Sequence, residues 1–313
     1  MKTAFVFPGQ GSQTIGMGLD LYKNFSAAKA VFEEVDDALN QKLSTLMFEG
    51  DAEELTQTQN AQPAIMSVGM AALKVLESET GKTISDLASC VAGHSLGEYT
   101  ALCAAGALNV ADTAKLLRLR GLAMAEAAAE RTGAMAAILA LTKDQIADII
   151  ANTDLMGEVC VIANDNCPGQ IVISGQDNAL NAVMDGCLKA GAKRAIKLAV
   201  SGGFHSPLMQ SAAEKMKEVL ADTPLKNPLV PLISNVLAEP VQNADEIKEL
   251  LVRQVTGSVL WTDSLHKMVD TMGIERFVEC GNGKVLAGLV KKTYPDIPTI
   301  SLGNASDIQS FLG

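Results

Sequence analysis

The sequence predicts an α/β protein organised around a mostly parallel sheet, and three observations carry that reading. Short apolar segments of strand character alternate with longer segments of helical period. The 313 residues are 48% hydrophobic, enough to bury roughly three quarters of the unfolded chain's surface. The middle of the chain shows a different order, β-α-β-β-α-β, between residues 133 and 200.

Residues 3–7 (TAFVF) form the first expected strand and 89–93 another, with 231–236, 276–279 and 299–302 later. Only 4% of residues are aromatic, so Ala, Leu, Val and Met have to fill the core. In the central segment AMAAILA, EVCVIAN, GQIVISG and AKRAIKLAV read as strands and KDQIADIIA and DNALNAVMDGCLKAG as helices, with Pro168-Gly169 turning between the middle strands. Strands resume afterwards. Residues 131–200 are therefore expected to form a ferredoxin-like subdomain inserted into a core domain built from 1–130 and 201–313.

Several function classes are disfavoured by composition. The chain has 25 basic against 36 acidic residues, a net charge of −11, and so lacks the basic footprint of a nucleic-acid binder. No apolar run approaches the ~20 residues of a membrane span, and the N-terminal MKTAFVFPGQ lacks a secretory signal's apolar core and cleavage site. The expected location is the cytoplasm, with no membrane association. The six cysteines show no CxxC or paired spacing, so reduced, mostly buried thiols are expected, with neither a metal nor a disulfide framework.

The sharpest local feature is Gly93-His94-Ser95-Leu96-Gly97, preceded by ASCVA and followed by the helical EYTALCAAGAL. A GxSxG turn between strand and helix exposes its serine hydroxyl, and the amide after the serine can stabilise a developing oxyanion. Ser95 is the candidate nucleophile and needs a base within hydrogen-bond reach. The chain has only three histidines. His266 falls outside the Trp261, Leu265, Met268, Met272 stripe and is expected to be solvated. His94 sits inside the turn, where neighbouring side chains diverge, and suits a local structural role. His205 lies in SGGFHSPLM, a Gly-rich loop ending at Ser206 as a helix cap with Pro207 at the first helical position, and is the best candidate base.

In ADTAKLLRLRGLAMAEAAAE, residues Thr113, Leu116, Leu117, Ala123, Met124 and Ala127 form one apolar stripe with Arg120 near its centre. A guanidinium there keeps its charge and needs a partner. That partner is either a protein carboxylate or an anionic substrate gripped in bidentate fashion, and spacing alone leaves the two level. The first strand runs into Phe7-Pro8-Gly9-Gln10-Gly11, with Gly16 too far along for a dinucleotide fingerprint and no Walker lysine. It is either a plain strand-to-helix turn or a close-approach loop able to supply a second oxyanion amide.

Taken together, FVFPGQGSQ (5–13), QPAI (62–65), GHSLGEYTAL (93–102), Arg120-Gly121, FHSPLM (204–209) and LVRQ (251–254) resemble the malonyl-CoA:acyl carrier protein transacylase family in order along nearly the whole chain. The resemblance implies an α/β-hydrolase-like core with an inserted ferredoxin-like subdomain, and a malonyl transfer from malonyl-CoA to acyl carrier protein that serves fatty-acid synthesis. Carried over by position, it implies Ser95 as nucleophile, His205 as base, the amides of Gln10 and Leu96 as oxyanion donors, Arg120 as the substrate-carboxylate ligand, Gln254 as the residue orienting the histidine and Gln62 as a polar position near the site. It implies no permanently bound cofactor and no metal. A monomer is expected, and an acidic carrier protein would dock on a local basic patch drawn from Lys115, Arg118, Lys193, Arg194, Lys284, Lys291 and Lys292. One departure is Asn282, where relatives usually carry proline; it touches only a local turn with no assigned catalytic group. A serine esterase or thioesterase, or a silent carrier-binding module, are the rival classes.

Overall fold

The computed structural model describes residues 1–313. Eleven strands form two sheets. They are β1 (Thr3–Phe7), β2 (Cys90–Gly93), β3 (Ala134–Leu139), β4 (Cys160–Cys167), β5 (Gln170–Gly175), β6 (Arg194–Lys197), β7 (Leu232–Ile233), β8 (Pro240–Val241), β9 (Val259–Leu260), β10 (Arg276–Cys280) and β11 (Thr299–Leu302). The first sheet has the order β11-β10-β1-β2-β7-β8 and is parallel except at β8. Its central strands β1 and β2 are buried at every position, as strands covered on both faces must be. In register, Phe7 pairs with Gly93. The loop after β1 and the turn after β2 therefore leave the same end of the sheet side by side.

Three helices frame that end. The helix α1 (Thr58–Thr80) packs along α3 (Val110–Glu130), while α2 (Gly97–Ala104) starts directly after the β2 turn. Asn109 caps α3 by accepting from the Asp112 amide. Gly121 lets α3 close on α1: a Cβ there would stand 2.5 Å from the Gln59 Cα. This close crossing brings Arg120 against the first turns of α1.

The second sheet has the order β6-β3-β5-β4-β9. Its pairs are antiparallel among β3 to β6, and β9 runs parallel to β4. Helices α4 (Lys143–Asn152) and α5 (Asp177–Lys189) belong to this unit, and Ile138, Ile146, Ile173, Leu180 and Val183 share its own apolar core. The β-α-β-β-α-β order expected for this segment is present. Its fifth strand was not expected, because β9 comes from residues 259–260 and stitches the later chain onto the inserted sheet.

The strand expected over 231–236 is shorter, Leu232–Ile233. Its continuation turns away because the Ser234 amide donates to the Glu239 carbonyl and the Asn235 amide to the Glu98 carboxylate. All six thiols are buried, and no helix is long and apolar enough to cross a membrane.

Candidate active site

Ser95 sits at the end of β2 with φ at 53°. A non-glycine residue held there is strained by roughly 1–3 kcal/mol, so the surroundings must hold it. The flanking glycines are needed for space: a Cβ at Gly93 would meet the Gly97 carbonyl oxygen at 1.9 Å, and one at Gly97 would meet the Phe7 oxygen at 2.2 Å. The turn is clamped at both main-chain groups. The Ser95 amide donates to Asn235 Oδ1 at 2.8 Å, and its carbonyl accepts from Gln254 Nε2 at 2.8 Å.

The Ser95 hydroxyl lies 2.7 Å from His205 Nε2. His205 also has a left-handed backbone, φ 55°, and is followed by Ser206, which accepts from the Leu208 amide and opens the short helix at Pro207. On its other side, Nδ1 faces the main-chain oxygens of Gln254 at 2.9 Å and Gly257 at 3.1 Å. Carbonyl oxygens only accept, so the proton sits on Nδ1 and Nε2 is the lone-pair nitrogen that receives the Ser95 O–H. Burial, and then the Arg120 charge, push the imidazole down to about 3. It is neutral at neutral pH, as a base must be.

Of the other histidines, neither reaches Ser95. His94 Nε2 lies 2.8 Å from Asn166 Oδ1 on β4 and links the turn to the second sheet. His266 lies at the exposed surface with Asp270 and Tyr294.

Arg120 is 1% exposed. It donates to Gln62 Oε1 at 2.8 Å, to Gln254 Oε1 at 2.8 Å and to Ser95 Oγ at 3.1 Å. Its guanidinium carbon stands 5.6 Å from the centre of the Tyr99 ring, and its Nε has no partner. All three acceptors are neutral. Burial lowers the guanidinium's pKa, yet an arginine stays charged in a protein. The nearest acid, Glu98, is reached only through Gln254, whose Nε2 donates to Glu98 Oε2 at 2.6 Å. Burial pushes the Glu98 carboxyl up to about 7 against the bonds it accepts. A cation without a paired carboxylate costs several kcal/mol in such surroundings, and no protein carboxylate accepts a hydrogen bond from this one.

Gln254 reaches the histidine differently from a hydrolase's acid. Its main-chain oxygen meets Nδ1, while its side chain, carried on α6 (Ala244–Thr256), binds Ser95, Glu98 and Arg120. Gln62 touches Arg120, not the cavity wall. Gln10 and Leu96 both line the cavity, and neither amide donates to a protein acceptor. Asn282 does more than shape a turn: its Nδ2 donates to the Ser12 oxygen at 2.6 Å and to Thr14 Oγ1 at 3.0 Å, tying down the loop that carries Gln10. Proline has no such donor. Asn282→Ala is expected to cost about 1–2 kcal/mol of stability at the usual worth of a side-chain hydrogen bond, read from the midpoint of urea unfolding at unchanged slope.

These groups face one cavity of about 350 Å3. Ser95, Arg120 and His205 line it from one side and Met135, Asn164 and Leu198 of the second-sheet unit from the other, with Met124 and Phe204 adding apolar wall. A second hollow shares Gln10, Thr56, Ala199 and Val200 with it and continues past Glu53 and Gln57. Glu98 and Asn235 were not singled out from sequence. A lone carboxylate in the apolar run EYTALCAAGAL was the available signal for the first.

A serine whose hydroxyl already donates to a neutral, pre-oriented imidazole, with free amides beside it, defines a nucleophilic acyl-transfer protein on an α/β scaffold. Comparison with known proteins narrows the class. The family model described as acyl transferase domain matches residues 4–309. The malonyl CoA-acyl carrier protein transacylase of Bacillus subtilis (strain 168) is 47% identical over 308 residues, covering 98% of this chain and 95% of that protein. The acyl-carrier-protein-S-malonyltransferase of Bartonella henselae superposes with a TM-score of 0.96 at 48% identity, over 100% of this chain and 98% of that one. A malonyl-transacylase solved in complex with its type II PKS acyl-carrier protein gives 0.94 at 36% identity, over 99% and 98%. The chain belongs to the acyl transferase family and, within it, to the malonyl CoA-acyl carrier protein transacylases.

Proposed function

We propose that this enzyme moves a malonyl group from malonyl-CoA to the pantetheine thiol of an acyl carrier protein, through a malonyl ester on Ser95, in support of fatty-acid synthesis. The observation that carries the reading is the buried Arg120 guanidinium, which meets only neutral acceptors and lies 3.1 Å from the Ser95 hydroxyl. An acyl group ending in a carboxylate brings the missing charge to the place where the ester forms.

Each residue then has a defined part. His205 Nε2 takes the Ser95 proton as Oγ attacks the thioester carbon, and the amides of Gln10 and Leu96 receive the oxyanion. The imidazolium keeps Nδ1–H on the Gln254 and Gly257 carbonyls and returns the Nε2 proton to the coenzyme A sulfur as the C–S bond breaks. In the second half the carrier thiol gives its proton to Nε2 and attacks the ester carbon, and the imidazolium returns that proton to Ser95 Oγ as the C–O bond breaks. Carbonyl dipoles stabilise the imidazolium less than a carboxylate would. The substrate carboxylate compensates, because it neutralises Arg120, which otherwise disfavours a second cation nearby. A thioester, more reactive than an amide, suits this arrangement.

The reading includes an α/β-hydrolase-like core from 1–130 and 201–313 with a ferredoxin-like insertion at 131–200, the cavity lying between them. It includes a cytoplasmic, monomeric enzyme with no bound cofactor or metal. A carrier protein would meet a local basic patch; Arg118 is the weakest member of the candidate set, since its guanidinium is held by Asn60 Oδ1 at 2.7 Å and by Gln41 Oε1 at 2.5 Å. Intact-mass measurement after mixing with malonyl-CoA tests the proposal. One malonyl group on Ser95, discharged by holo carrier protein faster than by water, is expected. No adduct would mark a silent binding module, and discharge to water alone a thioesterase.

A further inference from the structure

We propose that Glu98 is a positioning residue for acyl transfer, whose buried carboxylate fastens the strained Ser95 turn through Asn235 and Gln254. The inference rests on Ser95 being the acylated group. Glu98 Oε1 accepts from the Asn235 amide at 3.1 Å, and Oε2 accepts from Gln254 Nε2 at 2.6 Å. These two partners hold the turn from both sides. Asn235 Oδ1 takes the Ser95 amide and its Nδ2 reaches the Gly93 oxygen at 2.7 Å, while Gln254 Nε2 also holds the Ser95 carbonyl. The main chain of Gln254 carries the oxygen that sets the His205 tautomer, and its Oε1 accepts from Arg120.

One carboxylate therefore underlies the placement of nucleophile, base and anion clamp. Its own position is secured by α2, where it stands one turn past Ser95 and is 1% exposed. A buried acid is costly unless its lone pairs are used, and both oxygens are used on residues that touch Ser95. Only an acceptor on each oxygen meets the two N–H groups that arrive. Glutamine at this position has one acceptor and one donor, so in either orientation an N–H faces an N–H and one arm of the clamp is released.

Glu98→Gln is compared with wild type in three measurements on the full chain: urea unfolding, the rate and KM of Ser95 malonyl loading, and the rate of Ser95 sulfonylation by phenylmethanesulfonyl fluoride. The sulfonyl fluoride carries no carboxylate and makes no use of Arg120. A loss of about 100-fold in both loading rate and sulfonylation per folded molecule, with KM within threefold, is the expected result; Glu98→Asp, which keeps two acceptors, should recover part of it. Wild-type sulfonylation in Glu98→Gln, or a rise in KM at unchanged loading rate, overturns the proposal. Asn235→Ala breaks the same chain of bonds elsewhere and serves if Glu98→Gln does not fold. It should slow sulfonylation at least tenfold, because the Asn235 side chain takes the Ser95 amide. Unchanged sulfonylation in Asn235→Ala overturns the proposal. Should wild type itself fail to load malonate, the proposed function falls while the sulfonylation series still decides the role of Glu98.

Discussion

Arg120→Ala should reduce malonyl loading of Ser95 by roughly 30- to 5000-fold, since truncating one partner of a buried charge pair costs about 2–5 kcal/mol. Acetyl loading should fall less than tenfold. An acetyl group has no carboxylate, so its thioester loses only the side effects of the change: unsatisfied oxygens on Gln62 and Gln254 and a lost donor to the Ser95 hydroxyl. The preference for malonyl over acetyl should therefore shrink by at least about threefold. Arg120→Lys should lie between, because an ammonium keeps the charge but cannot grip a carboxylate with two parallel N–H groups. Stopped-flow or quench measurement of acyl-enzyme with the two coenzyme A esters reads both rates. Equal losses for the two donors would remove the anion-clamp role and return Arg120 to the part of a packing cation.

How much of this was legible in sequence depends on where each group's chemistry resides. Ser95 and His205 were legible because local patterns mark them: a strand, a GxSxG turn and a helix for one, a Gly-rich loop and a Ser-Pro cap for the other. Arg120 was legible as a charge on an apolar stripe, but its partner was not. That required the fold to place two glutamine oxygens, and no acid, beside it. The group that orients His205 is a main-chain oxygen, which every residue possesses and no side chain advertises. The same holds for the amides of Gln10 and Leu96, proposed above as the oxyanion donors. Asn235 escaped notice because its role comes from pairing a two-residue strand beside β2, and strands as short as β7 and β9 carry no periodicity to read. Asn282 was noticed as a departure, yet its reach to Ser12 and Thr14 spans the length of the chain.

The dyad makes the larger prediction. Ser95→Ala should abolish the malonyl adduct, and His205→Ala should slow loading by about 10^4-fold or more, the scale on which serine enzymes lose activity with either member of such a pair. The protonation state behind this is observable directly. With three histidines in the chain, nitrogen NMR of the imidazoles can be assigned from single substitutions. His205 should show a protonated Nδ1 and a bare Nε2 from pH 8 down to about pH 5, because its pKa lies near 3, well below the ordinary 6.5. The sign of the next effect follows from the causes. Burial comes first and Arg120 second, so Arg120→Ala removes a repelling cation and must raise the His205 pKa toward 6.5. Malonyl ester on Ser95 should raise it too, since a carboxylate on Arg120 cancels the same charge. A wild-type His205 that titrates near 6.5, or a pKa indifferent to Arg120, would separate the imidazole from the clamp and leave the ester's carboxylate with no influence on the base.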